Sequence, residues 1–326
     1  MTFRQPAEWA PHEWVWIGFP SNPAEWPDAF ETARAQTAEF ANAVHSGGRG
    51  EEVRLIAADE PSAIAARSLV DDAVKVEVLP FGDIWLRDTG PIAVKNGDQR
   101  AFVDFDFNGW GGSYDMPGDR DIGTKLAGQT DLPCVKGHWI FEGGAVDTDG
   151  TGLAVTTEQC LLNPNRNPQL DRRKIETLLA GSLGYSDIVW LGQGLLNDHT
   201  DGHIDNLARF VGEGLLAIPE PAGEDDPNAA IYADARSRAR SFGLEVAPMP
   251  SPGVVRRGGQ IVPASYMNFY IGNAAVVVPL YGQPNDQAAL DALRPFFPGR
   301  QIVGLMSDAI LTGGGSFHCI SQQMPS

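Results

Sequence analysis

Residues 53–78, VRLIAADEPSAIAARSLVDDAVKVEV, show the alternation of elements that decides the fold class. Val53–Ala57 and Val74–Val78 are short apolar runs rich in β-branched residues, which predicts two strands. Between them, Pro61–Ala73 carries apolar residues at spacings of three and four, which predicts an amphipathic helix. A strand followed by a helix and a second strand favours an α/β fold.

The same alternation continues outward in both directions. Further strands are predicted at Ile92–Val94, Ala101–Phe105, Leu153–Thr156, Asp187–Trp190, Leu207–Val211, Gly214–Pro219, Ala274–Pro279 and Gln301–Val303. Further helices are predicted at Ala29–Val44, Leu170–Ala180, Ala229–Ser241 and Asp286–Phe296. No long linker interrupts the series, so residues 1–326 are expected to form a single catalytic domain. The sequence itself shows no clear internal repeat, although five units of roughly 65 residues would fill its length.

Composition and charge exclude several classes of function. The 326 residues are 43% hydrophobic, which is enough for a sizeable core. The sequence contains neither a GxGxxG nor a GxxxxGK[ST] motif that would indicate a nucleotide site. The formal net charge is −18, and no dense Lys/Arg cluster predicts binding to nucleic acid. The acidity fits either simple solubility or the attraction of a small cation, and net charge alone leaves both open.

The sequence also favours a reducing compartment. The three cysteines, Cys134, Cys160 and Cys319, form no CxxC pair, which argues against a disulfide framework or a structural zinc site. The first residues, MTFRQPAEWAPHEW, contain no apolar segment typical of a signal peptide, and the apolar run at 274–280 is too short to cross a bilayer. We therefore expect a cytoplasmic protein without a membrane partner.

Two segments place carboxylates beside glycines and apolar runs. Because burying a charge is costly, a carboxylate in such a place is expected to have either a functional role or an ion-pair partner. In FGDIWLRDTGPI, residues 81–92, Asp83, Arg87 and Asp88 surround Trp85. The segment could present a carboxylate at a strand end, or an Arg–Asp pair could simply close a loop. In FEGG, residues 141–144, the glycines after Glu142 would let the backbone approach a ligand, or the motif could be a bulge with a solvated glutamate.

A third segment, NDHTDGHIDN at residues 197–206, concentrates histidines and aspartates. The spacing of His199 and His203 with a nearby Asp resembles a metal site, but Gly202 interrupts a helix and no HExxH motif is present. A strand through His203 and Asp205 would instead point both side chains to one face, as an acid–base and binding pair.

The fourth segment, LTGGGSFHCISQQ at residues 311–323, places Cys319 after three glycines near the end of the chain. Its polar surroundings are unlike those of a packed core thiol, and a cationic ligand would favour the nucleophilic thiolate. Cys134 and Cys160 are instead interpreted as a residue beside a loop and an ordinary core residue. One cysteine, one histidine and several carboxylates suit attack on a guanidinium, whose planar N–H groups pair with carboxylates.

Several linked motifs resemble the agmatine deiminases, a family of the guanidine-modifying superfamily. They are PAEWAPHEWVWIGFP (6–20), DIWLRDTGP (83–91), FNGWGG (107–112), EGGAVDTDG (142–150), NPNRNP (163–168), NDHTDGHIDN (197–206), PASYMNFYIGN (263–273) and GGGSFHCISQQMP (313–325). The resemblance runs through nearly the whole chain. It implies a five-bladed α/β propeller with pseudo-fivefold symmetry and a central active site.

The resemblance also assigns roles to individual residues. It implies that Cys319 is the nucleophile and His203 the general acid and base. Asp88 and Asp205 would bind the guanidinium, and Glu142 would orient His203 and contact a substrate nitrogen. Trp85 would pack on the aliphatic part of the substrate. One departure is Ser316-Phe317, where the family pattern has Asn and a β-branched residue before His-Cys.

The implied reaction converts agmatine to N-carbamoylputrescine and ammonia, a step of polyamine synthesis. Attack of Cys319 would give an amidino-thioether, which water activated by His203 would then hydrolyse, with no cofactor or metal. Free arginine, peptidyl-arginine or another guanidine remain alternative substrates, and a metal-dependent hydrolase using His199, His203 and Asp205 remains an alternative mechanism. A homo-oligomer is also left open, since family members are often dimers or larger.

Overall fold

The computed structural model describes residues 3–114 and 116–326. In this part of the chain the strands are β1 (His12–Phe19), β2 (Glu52–Ala57), β3 (Lys75–Val78), β4 (Ile92–Asn96), β5 (Gln99–Asp106), β6 (Cys134–Ile140), β7 (Val146–Thr148), β8 (Leu153–Thr157), β9 (Asp187–Leu191), β10 (Arg209–Gly212), β11 (Leu215–Glu220), β12 (Glu245–Pro250), β13 (Arg256–Arg257), β14 (Gln260–Ile261), β15 (Tyr270–Ile271), β16 (Ala275–Leu280), β17 (Gln301–Met306) and β18 (Ser321–Pro325).

The helices are α1 (Phe30–His45), α2 (Glu60–Arg67), α3 (Leu86–Thr89), α4 (Gly109–Gly112), α5 (Asp119–Gly128), α6 (Glu158–Leu161), α7 (Arg172–Leu183), α8 (Ile204–Leu207), α9 (Ala229–Phe242) and α10 (Asp286–Leu293). Short 3₁₀ turns lie at Pro23–Glu25, Ser46–Gly48, Gly143–Ala145, Arg294–Phe296 and Ile310–Gly313. Side chains that cap helices fix several of the starts; for example, Asp59 accepts from the Ser62 amide at 2.8 Å at the beginning of α2.

Five sheets share one topology, and a two-stranded hairpin, β13–β14, accompanies them. The sheets are β18-β1-β2-β3, β4-β5-β6, β7-β8-β9, β10-β11-β12 and β15-β16-β17. In each, an antiparallel pair is followed by a parallel pair. The first sheet adds a second parallel pair, β2–β3. A helix lies in the connection of each parallel pair, because parallel strands cannot be joined by a tight turn: α1 and α2 in the first sheet, and α5, α7, α9 and α10 in the other four. The structure therefore repeats, although its sequence does not visibly do so.

The two ends of the described chain meet in one sheet. The C-terminal strand β18 pairs antiparallel with β1, where Ile17 lies opposite Ser321 and Trp16 opposite Gln322. The parallel partner β2 lies on the other side of β1. The first sheet is therefore completed by residues from the end of the chain, and Cys319 lies two residues before that closing strand.

Most predicted elements are confirmed within a few residues, but the strands β1, β6, β7, β12, β15 and β18 were not predicted. Three further differences concern single elements. The helix predicted at Pro61–Ala73 is shorter, ending at Arg67. The helix α5 was not predicted, because its sequence DRDIGTKLAG has two glycines and little apolar periodicity. The strand predicted from Leu207 begins at Arg209, since Leu207 ends the helical turn α8. In the part of the chain that the structure covers, no helix combines the length and apolarity needed to span a bilayer.

Candidate active site

A cleft of about 460 Å³ lies where segments from different sheets meet. Cys319, Asp88 and Trp85 line its inner part, and the exposed side chains Tyr114 and His199 lie at its rim. In each of the five sheets, the segment just before the antiparallel edge strand carries one residue of the site. These residues are Asp88 before β4, Glu142 before β7, Asp205 before β10, Asn268 before β15 and Cys319 before β18. The common topology thus places five polar side chains at equivalent positions.

Cys319 is buried and is held by an asparagine that sequence reasoning did not identify. Asn268 accepts from the backbone amides of His318 at 3.1 Å and Cys319 at 3.2 Å. Its Nδ2 donates to Cys319 Sγ at 3.0 Å. A Cβ at Gly315 would lie 2.9 Å from Cys319 Cβ and 2.7 Å from the ring of Trp85, so only glycine fits beside this thiol.

The surroundings of Cys319 disfavour its thiolate form. Burial raises its pKa well above the ordinary value, and the negative charges of Asp205 and Asp88 raise it further. The Asp205 carboxylate lies 3.5 Å from Cys319 Sγ. The Asn268 contact acts in the opposite direction but does not outweigh these effects. A nucleophilic thiolate would therefore need a positive charge to enter the cleft.

Asp88 lies in the one-turn helix α3, not at the strand end suggested by its sequence. Its Oδ1 accepts from the Gly144 amide at 3.0 Å, and its Oδ2 accepts from Trp110 Nε1 at 2.9 Å. Burial raises the pKa of Asp88 to about 6, and the neighbouring Asp205 and Glu142 add to the rise, although His203 opposes it. Asp88 is thus a buried carboxylate without an arginine or lysine partner among the described residues.

Glu142 is fully buried, which excludes the solvated bulge considered from its sequence. Arg166 Nε donates to its Oε1 at 2.8 Å, and His203 Nε2 lies 3.2 Å from its Oε2. Burial alone would raise the pKa of Glu142, but the contacts with His203 and Arg166 outweigh burial and lower it. Arg166 belongs to the NPNRNP motif, yet nothing in the sequence pattern indicated its role.

His203 and Asp205 meet in the site, but not through the strand predicted from their alternation. Asp205 is the second residue of the helical turn α8, and His203 is the residue before that turn. Burial alone would lower the pKa of His203, but Asp88, Cys160 and Glu142 outweigh it and raise the pKa well above the ordinary value. His318 Nδ1 lies 2.7 Å from Asp205 Oδ2, and this contact outweighs burial and lowers the Asp205 pKa.

Three of these side chains, His203, Asp88 and Asp205, converge on one point beside Gly144. A Cβ at this glycine would lie 2.7 Å from His203 Nδ1, 2.8 Å from Asp88 Oδ1 and 3.1 Å from Asp205 Oδ2. Two of the converging groups also carry buried atoms that lack a hydrogen-bond partner among the described residues, His203 Nδ1 and Asp205 Oδ1. Because unpartnered buried polar atoms are costly, this point has the character of a ligand site.

One group of side chains in the described ranges has the geometry to hold a metal ion. Its members are Glu142, Cys160 and His203, whose ligand atoms lie within 4.8 Å of one another. The guanidinium of Arg166 already binds Glu142, and a second cation there would be repelled. His199, which the metal-dependent alternative requires, is not in this group and instead lies 2.9 Å from the Tyr114 hydroxyl.

Cys160 differs from the ordinary core residue inferred from its sequence. It is buried, as expected, but its thiol lies 3.8 Å from Glu142 Oε2 and interacts with His203. Cys134 is an exposed residue at the start of β6. The sequence around Cys160, EQCLLNP, is typical of a helix end and does not indicate a contact with Glu142 or His203.

The unusual pair Ser316-Phe317 packs without disturbing the site residues. The Ser316 hydroxyl lies 2.6 Å from that of Ser307, and the Phe317 ring stacks on Phe40 with centroids 4.7 Å apart. Both side chains are buried on the core side of the nucleophile segment. The departure from the family pattern therefore changes the support behind Cys319 rather than the groups around the cleft.

Comparison with known proteins agrees with this geometry. The sequence profile of the Porphyromonas-type peptidyl-arginine deiminases matches residues 4–325. The agmatine deiminase of Stutzerimonas stutzeri is 38% identical over 99% of this chain and 96% of its own length. The structure of Enterococcus faecalis agmatine deiminase has a TM-score of 0.93 at 30% identity, covering 99% of this chain and 96% of that one. A substrate-bound Campylobacter jejuni agmatine deiminase has a TM-score of 0.92 at 28% identity, covering 100% and 97%. The resemblance found in the motifs is confirmed, and the chain belongs to the Porphyromonas-type peptidyl-arginine deiminase family, alongside agmatine deiminases.

Proposed function

We propose that this chain hydrolyses agmatine to N-carbamoylputrescine and ammonia through a covalent intermediate on Cys319. Agmatine is the substrate named for the relatives that match nearly the full length of the chain. The observation that carries the chemistry is the convergence of Asp88, Asp205 and His203 on one point, together with the unpartnered buried atoms of His203 and Asp205. A planar guanidinium has the N–H donors that two carboxylates require.

Asp88 and Asp205 would hold the guanidinium from two directions. Asp205 Oδ1 has no hydrogen-bond partner among the described residues, so a substrate N–H would satisfy it. Asp88 is already oriented by Gly144 and Trp110, and a bound cation would stabilise its ionised form. Carboxylates in these positions would oppose attack on a neutral amide, because an oxyanion needs hydrogen-bond donors.

The substrate would itself activate the nucleophile. The carboxylates that raise the Cys319 pKa are the ones that bind the guanidinium, so their charge is neutralised when substrate enters. The pKa of the thiol then falls, and the thiol releases its proton to water. Asn268 stays in place to donate to the sulfur of the resulting thiolate. Attack of the thiolate on the guanidinium carbon forms a C–S bond and a tetrahedral adduct.

His203 would move protons in both halves of the reaction. Its raised pKa keeps it protonated, and its Nδ1 lies at the point of convergence while Glu142 holds Nε2. It donates a proton to the departing nitrogen, and ammonia leaves an amidino-thioether on Cys319. The neutral imidazole then takes a proton from water as the hydroxide adds to the same carbon. Collapse of this second adduct breaks the C–S bond and releases the ureido product.

We also infer the arrangement of the whole chain from its sheets. The five sheets of equal topology each send the segment before their first strand to the same cleft, which supports a five-bladed propeller with the site at its centre. Residues 1–326 would then form a single catalytic domain. The three free cysteines and the small polar product support a cytoplasmic location.

Steady-state kinetics with agmatine, free arginine and a blocked arginine peptide test the substrate. We expect ammonia release from agmatine with a kcat/KM at least tenfold, roughly, above that for either arginine substrate. A preference for either arginine form would refute agmatine as the substrate while leaving the deiminase chemistry intact. A quenched reaction examined by intact-protein mass spectrometry should also show the amidino adduct, and a Cys319→Ala sample provides the matched control.

A further inference from the structure

Arg166 is a buried charged side chain that takes part in no proton transfer of the proposed reaction. Its guanidinium contacts two separate parts of the molecule, the carboxylate of Glu142 and the turn at residues 200–202. Both parts lead directly to His203, the first through its side chain and the second through its backbone. We propose that Arg166 is a positioning residue that fixes the imidazole of His203 for proton donation to the departing nitrogen. This role rests on the proposed function, because it concerns one step of that reaction.

The contact with Glu142 decides which carboxylate oxygen faces His203. Arg166 Nε donates to Glu142 Oε1 at 2.8 Å and lies 3.3 Å from Oε2. The second oxygen, Oε2, lies 3.2 Å from His203 Nε2. The Arg166 and Glu142 side chains are each 1% exposed, so water does not compete for their contact. With Nε2 held in this way, the ring presents its Nδ1 to the point beside Gly144.

The contact with the turn fixes the backbone that leads into His203. Arg166 Nη2 donates to the Thr200 carbonyl oxygen at 2.9 Å, and Nη1 donates to Asp201 Oδ2. Asn165 Nδ2 donates to the same carboxylate oxygen at 2.8 Å. The Thr200 hydroxyl in turn accepts from the His203 amide at 3.1 Å. Arg166 and Asn165 therefore hold the turn, and the turn holds the main chain of His203.

The turn has a backbone conformation that needs such support. Asp201 has a φ of 61° and Gly202 a φ of 85°, so the two residues before His203 are both left-handed. This region is disfavoured for a residue with a Cβ, and such residues persist where surrounding contacts hold them, often at functional sites. The contacts of Arg166 and Asn165 with the Asp201 carboxylate supply that restraint. A cation that only neutralised a buried carboxylate would not need to reach this turn.

The shape of a guanidinium suits a link between two sites. Its donors lie in a rigid planar fork, so one arginine can hold the Glu142 carboxylate and the Thr200 carbonyl group at fixed relative positions. A lysine would supply the same charge from a single nitrogen on a flexible stem. A lysine at position 166 would therefore replace a simple ion pair but not a two-sided link.

A displaced His203 should impair one chemical step more than the others. Ammonia leaves only after its nitrogen receives a proton, whereas a thiol can leave as a thiolate. In N-(4-aminobutyl)-S-methylisothiourea, the isothiourea analogue of agmatine, a methylthio group replaces one amino group. Because kcat/KM reports the steps up to departure of the leaving group, the ratio of kcat/KM for the two substrates measures proton donation. This ratio does not depend on the fraction of protein that is folded.

Arg166→Gln should lower kcat/KM for agmatine by roughly tenfold or more and that for the isothiourea analogue by less than about threefold. Arg166→Lys should show the same selective loss, because one ammonium group cannot reach both Glu142 and the turn. Arg67→Gln, which breaks an exposed pair with Glu60, is the matched control and should leave both substrates unchanged. Equal losses on the two substrates, no loss in Arg166→Gln, or full recovery in Arg166→Lys would each overturn the positioning role.

Asp201→Asn provides the test if the Arg166 variants do not fold. Asparagine tolerates the left-handed conformation, and the substitution removes only the charge that Nη1 of Arg166 binds. Asp201 is partly exposed, so this variant leaves no buried charge in its place. The selective loss for agmatine should then be about threefold. An unchanged ratio of the two substrates would overturn the link through the turn.

A separate measurement distinguishes this role from the function on which it rests. If the wild-type protein releases no ammonia from agmatine, the proposed function fails, but the surroundings of His203 can still be observed by nuclear magnetic resonance. The chain has six histidines, so in protein with isotopically labelled histidine the His203 signals are identified by their loss in His203→Asn. A shift of these signals in Arg166→Gln but not in Arg67→Gln would support the positioning role. Unchanged signals in Arg166→Gln would overturn it.

Discussion

Two buried groups of charged side chains lie side by side in this molecule and differ in how their charges are compensated. The first, here called the scaffold cluster, consists of Glu8, Arg87, Asp147, Arg209 and His318. The second, the catalytic cluster, consists of Asp88, Glu142, His203, Asp205 and Cys319. The contact between His318 and Asp205 joins the two clusters at 2.7 Å.

In the scaffold cluster, cations fully compensate the charge of Glu8, although burial still raises the pKa of Asp147. Arg209 donates to Glu8 at 2.8 Å and to Asp147 at 3.2 Å, and His318 Nε2 lies 2.8 Å from Glu8. Burial would raise the pKa of Glu8, but Arg209, His318 and Arg87 outweigh it and lower the pKa well below the ordinary value. The catalytic cluster instead leaves Asp88 with a pKa of about 6 and leaves two buried atoms unpartnered. Full compensation stabilises the fold, whereas incomplete compensation leaves room for a cationic ligand.

The largest expected effect is on activity, and it comes from a change in the catalytic cluster that leaves stability unchanged. Cys319→Ala should reduce kcat by on the order of 10⁴-fold or more, because it removes the group that forms the covalent intermediate. The variant should keep its fold, since the thiol contributes only the Asn268 and Asp205 contacts within the cleft. Ammonia release measures the first point and circular dichroism with thermal unfolding the second. Near-normal turnover would exclude Cys319 as the nucleophile.

The second effect is on stability and belongs to the scaffold cluster. Arg209→Met should lower the free energy of unfolding by about 3–5 kcal/mol, because it leaves the buried Asp147 without its cation and removes one of the cations beside Glu8. Chemical denaturation measures the change. The control is Arg238→Met, which breaks an exposed pair with Asp234 and should cost at most about 1 kcal/mol. Similar losses in the two variants would show that the buried cluster does not hold the fold together.

The third effect tests whether the carboxylates of the catalytic cluster bind the positive charge of the substrate. Asp88→Asn or Asp205→Asn should each cost about 3 kcal/mol of transition-state stabilisation, because each removes a charge-assisted contact to the guanidinium. Asp88→Asn should not lower the free energy of unfolding, since a buried carboxylate with a raised pKa disfavours the folded state at neutral pH. A loss in kcat/KM smaller than tenfold would contradict the role of that residue in binding.

A change of pH should move activity and stability in opposite directions. The Asp88 pKa of about 6 means that kcat/KM for agmatine should fall below about pH 6, by roughly tenfold per pH unit, as the carboxylate is protonated. The raised pKa also means that the folded state binds this proton more tightly than the unfolded state. Asp88 therefore contributes more stability as the pH falls through its folded pKa, and less as it rises. If activity and the fraction of folded protein fell together as the pH was lowered from 7 to about 5, the raised pKa of Asp88 would be contradicted.

The sequence predicted the side chains that the structure brings together better than the residues that contact them. Cys319, His203, Asp88, Asp205 and Glu142 were all named as candidates, because each lies in a short motif where glycine and charge interrupt an apolar pattern. Their elements were less predictable. The strand expected at His203 is a helical turn, since one turn before β10 already brings both polar side chains into the cleft.

The supporting residues were missed for a different physical reason. Asn268, Arg166 and His318 act through contacts between segments that are distant in the chain; for example, Asn268 and Cys319 are 51 residues apart. Propensity and periodicity report only local structure, so they contain no signal for such pairs. The five sheets were hidden in the same way, because a shared topology does not require a shared sequence.

Cys160 provides the smallest effect and tests where the catalytic cluster ends. Its thiol lies 3.8 Å from Glu142 Oε2, on the carboxylate that holds His203 Nε2 at 3.2 Å. Cys160→Ala should lower kcat severalfold, equivalent to about 1 kcal/mol for one lost hydrogen bond. Cys160→Ser keeps a donor of similar size and should recover most of that loss. Equal activity of the alanine variant and the wild type would place Cys160 outside the cluster, as packing only. Equal losses in both variants would show that the larger sulfur atom, rather than the hydrogen bond, positions Glu142.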